Sequence, residues 1–170
     1  MIRTLLLFPL ILCLLTGCSP KSDAALPPAA TGFSCGITGT YRGEETAGQL
    51  TRTAAGLLTV SLTKPAELDG LTMEWNGETV TLRMLGLSWS LSPEDVPQAA
   101  LGQRVLGALD TVVYGSATGE VVDGKLQTTG DAGDGTAFTL YSDPETGALL
   151  ALEVPSEELS LTFVDFQKLA

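Results

Sequence analysis

Histidine is absent from all 170 residues. That removes Ser-His and Cys-His nucleophilic pairs and the histidine-bearing zinc sites. Basic residues are scarce, 9 against 20 acidic, for a formal net charge of −11. A chain this acidic has no electrostatic footprint for nucleic acid, and anionic headgroups would repel it. Like charges never run beyond adjacent pairs such as Glu44-Glu45 and Glu157-Glu158, so the charge reads as surface solvation rather than an interaction tail. No glycine loop of the phosphate-cradling or dinucleotide type occurs. The longest apolar run, Leu5–Leu15, is interrupted by Pro9 and is too short to cross a bilayer, which takes roughly 20 residues.

Cysteine is also rare, with 3 in the chain, at positions 13, 18 and 35. Cys13 and Cys18 belong to the N-terminal pattern described next, which leaves Cys35 alone and unable to form an internal disulfide. It lies among Phe33, Ile37 and Tyr41 at period two, so it reads as a buried small apolar residue. Asp131-Ala132-Gly133-Asp134-Gly135 lacks the alternating ligands and distal glutamate of a calcium loop and reads as a turn. Glu157 and Glu158 are neighbours that would face opposite ways in a strand, a poor acid–base pair. This inventory predicts no catalytic residues, no metal and no cofactor.

What is present begins with a leader. Met1-Ile2-Arg3 gives a basic start, Leu5–Leu15 a short apolar middle, and Leu15-Thr16-Gly17-Cys18 a close of small residues and a cysteine. The last four resemble a lipobox, which predicts a signal peptide over residues 1–17 and acylation of Cys18. The thiol carries the diacylglyceryl group, and Gly17 gives the peptidase access to the scissile bond. Paired acyl chains anchor stably where a single chain is marginal. Ordinary secretion with a spare thiol is the alternative. Without the leader 153 residues remain, enough for one domain with a fair core. Only Arg3 is charged in the leader, so the remainder carries 8 basic against 20 acidic residues. Ser19–Thr31 is small, polar and proline-bearing, the composition of a tether, and at full extension it reaches roughly 40 Å. Residues 18–31 are therefore expected to link the anchor to a single domain over 32–170.

Within that domain the pattern alternates by two. Phe33, Cys35, Ile37, Gly39 and Tyr41 share one face, and Glu44-Glu45 is expected in the following turn. Gln49–Thr53 is a weaker strand, and Leu57–Thr63 a stronger one ended by Pro65. Leu71–Trp75 and Glu78–Leu85 flank Asn76-Gly77, which predicts a hairpin with a type I′ turn. Leu87, Trp89 and Leu91 continue the alternation. Ser92-Pro93-Glu94-Asp95 then reads as a helix start, and Leu101, Val105, Leu106 and Leu109 predict an amphipathic helix over Gln98–Asp110. Gly102 and Gly107 cost this helix about 1 kcal/mol each against alanine, which predicts close approach to a sheet. Strands are expected again at Thr111–Tyr114, Glu120–Val122, Lys125–Thr129, Thr136–Tyr141, Ala148–Val154 and Leu159–Phe166. The turns between them include Asp123-Gly124 and Asp143-Pro144-Glu145-Thr146-Gly147. Short turns between closely spaced strands predict antiparallel meanders, with the lone long helix covering their apolar face.

Gly39-Thr40-Tyr41, the Leu58–Pro65 strand, Leu68-Asp69-Gly70-Leu71 and Trp75-Asn76-Gly77-Glu78 carry a resemblance, together with Thr146-Gly147, Leu152-Glu153-Val154-Pro155 and Val164-Asp165-Phe166. The order of strand ends and turns resembles the LolA/LolB-type lipoprotein-localisation factors and related lipid-binding lipoproteins. The resemblance implies an α+β, β-rich fold: an unclosed antiparallel β-barrel, or half-barrel, curved over one inserted helix, with an apolar concave surface able to take acyl chains. The soluble carriers of that family are not lipidated, whereas this leader implies an anchor, which separates the chain from a shuttle. No family arginine is carried over to Arg42, Arg52 or Arg83.

By pattern, the inward candidates for a ligand surface are Phe33, Ile37, Tyr41, Val60, Leu62, Met73, Trp75, Leu82, Met84 and Trp89. Plain core packing is the competing reading for each. The expected function is a non-catalytic extracytoplasmic lipoprotein, held on the bacterial cell membrane through Cys18, that binds a lipid or another apolar ligand. The alternative is a structural or protein-interaction module of the envelope without a ligand cavity. An apolar cleft of roughly 300 Å³ or more would favour the first, and a solid interior the second.

Overall fold

The computed structural model describes residues 32–95, 99–115, 117–132 and 135–169. The leader, Cys18 and the tether lie outside the described residues.

Alternation becomes strand almost throughout. The strands are β1 (Phe33–Tyr41), β2 (Glu44–Arg52), β3 (Leu58–Lys64), β4 (Thr72–Trp75), β5 (Val80–Met84) and β6 (Leu87–Leu91). Helix α1 (Ala99–Tyr114) follows, then β7 (Thr118–Val122), β8 (Lys125–Asp131), β9 (Ala137–Ser142), β10 (Leu149–Val154) and β11 (Leu159–Lys168). These 11 strands join one antiparallel sheet in the order β6-β5-β4-β3-β2-β1-β11-β10-β9-β8-β7. The first and last strands pair at its centre, with Ile37 opposite Phe163, and β6 and β7 are its unclosed edges.

This order explains the helix. Strands β6 and β7 are consecutive in the chain but stand at opposite edges, so their connection must cross the sheet. A 16-residue helix reaches ~24 Å, enough to lie over the central strands. Leu101, Val105, Leu109 and Val112 are buried and form its apolar stripe. α1 contacts β3 and β4 in one half of the sheet and β8 in the other. The two helix glycines lie where the sequence places close approach. A Cβ on Gly102 would stand 2.3 Å from the Trp75 ring, and one on Gly107 2.4 Å from the Ala132 carbonyl oxygen.

Several expectations are corrected. The helix continues through 111–114, where a strand was expected from Thr111, Val112 and Val113. Val112 extends the buried stripe three residues beyond Leu109, and burial outweighs the β preference of a short Thr-Val run. The helix start at Ser92-Pro93 is a separate 3₁₀ turn over Pro93–Asp95, and the long helix begins at Ala99, one residue after the expected Gln98. Glu44 and Glu45 begin β2, because Tyr41 pairs with Glu44 and leaves only Arg42-Gly43 to turn.

Asn76-Gly77 also turns differently. Trp75 pairs with Val80 across a four-residue loop in which the Asn76 side-chain oxygen accepts from the Glu78 and Thr79 amides at 2.9 and 2.8 Å. Asp143 repeats the arrangement with Glu145 and Thr146. Those hydrogen bonds, from Thr146 first, hold the Asp143 carboxyl below its ordinary value. Two-residue turns with both residues at positive φ occur instead at Arg42-Gly43, Leu85-Gly86 and Asp123-Gly124.

One hydrophobic cluster fills the space between α1 and the sheet, from Phe33, Ile37 and Leu50 through Met73 and Trp75 to Leu140, Leu152 and Phe163. Cys35 is buried within it, and burial pushes its thiol up to about 12, far from the range of a reactive thiolate. Beneath the helix the fully buried Arg52 guanidinium pairs with Asp110. No local sequence pattern points to that pair.

Candidate functional site

Strand β1 ends at Tyr41, and β3 ends where Pro65 withdraws its amide from the ladder and leads into a 3₁₀ turn at Ala66–Leu68. Between these ends and the start of α1 lies a cleft of ≈ 200 Å³. Leu62, Pro65, Leu68 and Leu101 give it an apolar floor, with Tyr41 beside them. Arg42 and Glu44 give it a polar rim, and Thr46 adds a buried hydroxyl to the lining.

The Tyr41 hydroxyl shares one property with Trp75 Nε1 and Ser142 Oγ, but it alone of the three belongs to a residue that lines the cleft. It is buried and has no hydrogen-bond partner among the described residues. A buried phenol normally finds one, since an unmet hydroxyl costs about 1–3 kcal/mol. Desolvation holds the Tyr41 group above its ordinary value, partly opposed by the Arg42 charge. The Arg42 guanidinium lies 5.0 Å from the Tyr41 ring centre, within cation–π range.

An ionic knot adjoins the cleft. Glu157, in the turn Pro155–Glu157, accepts from Arg42 Nη2 at 2.8 Å and from Arg104 Nη2 at 3.1 Å. The Arg42 backbone amide also donates to the Glu158 carbonyl at 3.1 Å. Turn β1–β2, helix α1 and turn β10–β11 are thereby tied at one end of the fold. The Arg42 hydrogen bond is the main cause holding Glu157 below the ordinary carboxylate range, and Arg104 adds to it against desolvation. The same bond raises Arg42 above its own usual value. A carboxylate held this way suits an ion pair rather than proton transfer at neutral pH. Among the described residues, no three of His, Cys, Asp or Glu are grouped to hold a metal. No described helix is long and apolar enough to cross a membrane.

The ten residues singled out by alternation are distributed unevenly. Tyr41 and Leu62 line the cleft. Phe33, Ile37, Val60, Met73 and Trp75 are buried in the packed core. Leu82 and Met84 pack against that core while partly exposed, and Trp89 stands half-exposed on an edge strand. Leu68 and Leu101 were missed as cleft residues because each reads locally as a turn or helix-stripe residue. Arg42, Arg104 and Glu157 were missed because their meeting depends on three segments far apart in the chain.

No protein-family model matches the chain, and neither does any curated protein. Among solved structures, an uncharacterised conserved protein from Thermus thermophilus is similar at 13% identity, with 82% of this chain and 80% of that one covered and a TM-score of 0.51. A chain from the complex of the CwlD amidase with the GerS lipoprotein of Clostridioides difficile aligns at 14% identity, covering 82% and 87%, with a TM-score of 0.47. The LolA superfamily protein NE2245 from Nitrosomonas europaea aligns at 16% identity, covering 82% and 86%, with a TM-score of 0.42. At such identities the Thermus likeness concerns the fold alone: an open antiparallel sheet with one helix packed on it.

Proposed function

We propose that this chain is a lipid-anchored protein of the bacterial envelope, a half-barrel curved over α1 that takes a lipid or another apolar ligand at the mouth of its sheet and performs no catalysis. One observation carries the ligand reading: the unpartnered Tyr41 hydroxyl in an apolar-floored cleft. An acyl chain on Leu62, Leu68 and Leu101 would leave water, worth about 25 cal/mol for each Å² buried. A polar head at the rim would give the phenol its missing partner. The resemblance of the strand ends to LolA/LolB-type proteins agrees with this reading.

The test is titration with cis-parinaric acid, a fluorescent fatty acid. The full-length Cys18→Ala chain is used so that no attached acyl group competes. Saturable binding is expected. Leu68→Trp, which fills the cleft, should abolish it, and Tyr41→Phe should weaken it about five-fold, the worth of one neutral hydrogen bond. Absence of saturable binding, or binding indifferent to Leu68→Trp, rejects the ligand reading.

The anchor rests on Leu15-Thr16-Gly17-Cys18 and has its own test. Cells fed radiolabelled palmitate should label the wild-type chain and leave Cys18→Ala unlabelled. Label on the variant would place the acyl group elsewhere and remove the anchor.

The packed interior supports a second reading. Phe33, Val60, Met73 and Trp75 are fully buried, and the cleft is smaller than the roughly 300–1,000 Å³ of ordinary ligand sites. If the fatty acid fails to bind, an envelope module acting through an exposed face becomes the better account.

A further inference from the structure

Natural sheets protect their edge strands with charge, proline, bulges or a covering segment, because a bare edge pairs with another chain. The two edges here differ. Strand β7 carries Glu120 among its exposed residues. Strand β6, Leu87-Ser88-Trp89-Ser90-Leu91, has neither charge nor proline, and its register with β5 is unbroken. Trp89 is 46% exposed, Leu87 58%, and Leu85 in the turn before them 91%. Together these form an exposed large apolar group on the sheet's edge, and among the described residues no strand pairs with the outer side of the strand bearing two of them.

The sequence of β6 reads the same in both directions. An antiparallel pair of identical strands centred on Trp89 therefore places like against like: Trp89 on Trp89, Leu87 on Leu91, Ser88 on Ser90. That is the self-complementarity a two-fold interface requires. The backbone agrees. Met84 and Leu87 close the two-residue turn Leu85-Gly86, which makes them a hydrogen-bonded pair. By alternation Leu87, Trp89 and Leu91 direct their amides and carbonyls at β5, while Ser88 and Ser90 direct theirs outward. Across the two-fold axis, Ser88 of each copy meets Ser90 of the other and all outward groups are satisfied. The chain's net charge of −11 opposes association, but this strand carries none of it.

We propose that β6 is a homodimerisation strand, through which two copies of this chain pair antiparallel about an axis at Trp89 and continue one sheet across both. The proposal does not rest on the cleft and stands or falls separately from it.

Register-specific crosslinking of the full chain in cells tests it. Residues facing one another on the two-fold axis have Cα atoms about 4.5 Å apart, within disulfide reach. Under mild oxidation, Trp89→Cys should give a covalent homodimer. Leu87→Cys alone should stay monomeric, since its own copy lies several residues away. Co-expressed Leu87→Cys and Leu91→Cys chains, separately tagged, should give the mixed dimer. Adding Ser90→Pro, which removes an outward amide, should abolish the crosslink. The mixed pair keeps Trp89 in place, so it decides the matter even if the cysteine at 89 weakens pairing. A monomeric mixed pair overturns the proposal, and so does crosslinking of Leu87→Cys alone to the same extent.

Discussion

Gly102→Ala should destabilise the protein by about 2 kcal/mol, even though alanine is the better helix former by about 1 kcal/mol. The added methyl would lie 2.3 Å from the six-membered ring of Trp75, closer than carbon atoms tolerate. Trp75 cannot retreat, because it is fully buried between α1 and the sheet, with Leu58 opposite it on β3. Overpacking of this kind costs about 1–3 kcal/mol, and a contact this short belongs at the upper end. Subtracting the helix-propensity gain leaves the stated net. Urea unfolding would measure it, and the melting temperature should fall by about 4–8 °C. Trp75→Phe removes the ring atoms that conflict, so in that background the alanine should be neutral or stabilising. The difference between backgrounds is the coupling energy. A Gly102→Ala chain as stable as its parent would mean that helix and sheet do not meet there.

Asp110→Asn should cost about 3 kcal/mol, at the lower end of what breaking a buried ion pair costs. Arg52 is fully buried, on the strand beside β1 and β3, whereas the Asp110 side chain is 43% exposed at the rim of the helix. The asymmetry sets the magnitude. The cation has given up water and needs a compensating charge, while the carboxylate remains partly solvated. Asparagine keeps the volume and removes the charge, so the loss would report electrostatics rather than packing. Arg52→Met in the Asp110→Asn background should recover most of the lost stability, because a flexible apolar chain needs no counter-ion. Chemical denaturation of the single and double variants checks both statements. If Asp110→Asn is neutral, the guanidinium is sufficiently served by its other contacts.

The legible parts of this fold were those set by local periodicity. Leu58, Val60 and Leu62 alternate with polar residues and form the inner face of β3, as a half-buried strand must. Leu101, Val105 and Leu109 recur at helical spacing and face the sheet. Gly102 and Gly107 looked costly in a helix, and both stand at close contacts. Where two local signals competed, the reading failed. Thr111-Val112-Val113 prefers strand, but the helix already under way buried Val112 and carried on. Asn76-Gly77 suits a two-residue turn, yet the Asn76 side chain caps a longer loop, and the tight turn went to Leu85-Gly86 instead.

The candidate site was much less legible. Alternation separates inward from outward positions, but it does not say which inward positions border empty space. Tyr41 and Leu62 border the cleft while Phe33 and Val60, on the same strands and faces, lie in solid packing. The difference is set by where α1 begins and where the chain leaves β3, neither of which is encoded near those residues. Arg42, Arg104 and Glu157 meet across 115 positions of sequence between the first and last, so no window of neighbouring residues contains the knot.

By itself the sequence determined the strand-rich character of the described residues, the amphipathic helix among them, and the chemistry that the missing histidine rules out. Those follow from composition and from repeats of two and near four, which local geometry reads directly. Only the tertiary structure decided that β1 and β11 pair at the middle and that, among the described residues, β6 ends the sheet. It alone also buried Arg52, opened a cleft beside Tyr41 and carried the helix past its expected end. Each of these depends on which distant surfaces compete for the same buried space, and that competition is settled only when the whole chain is packed.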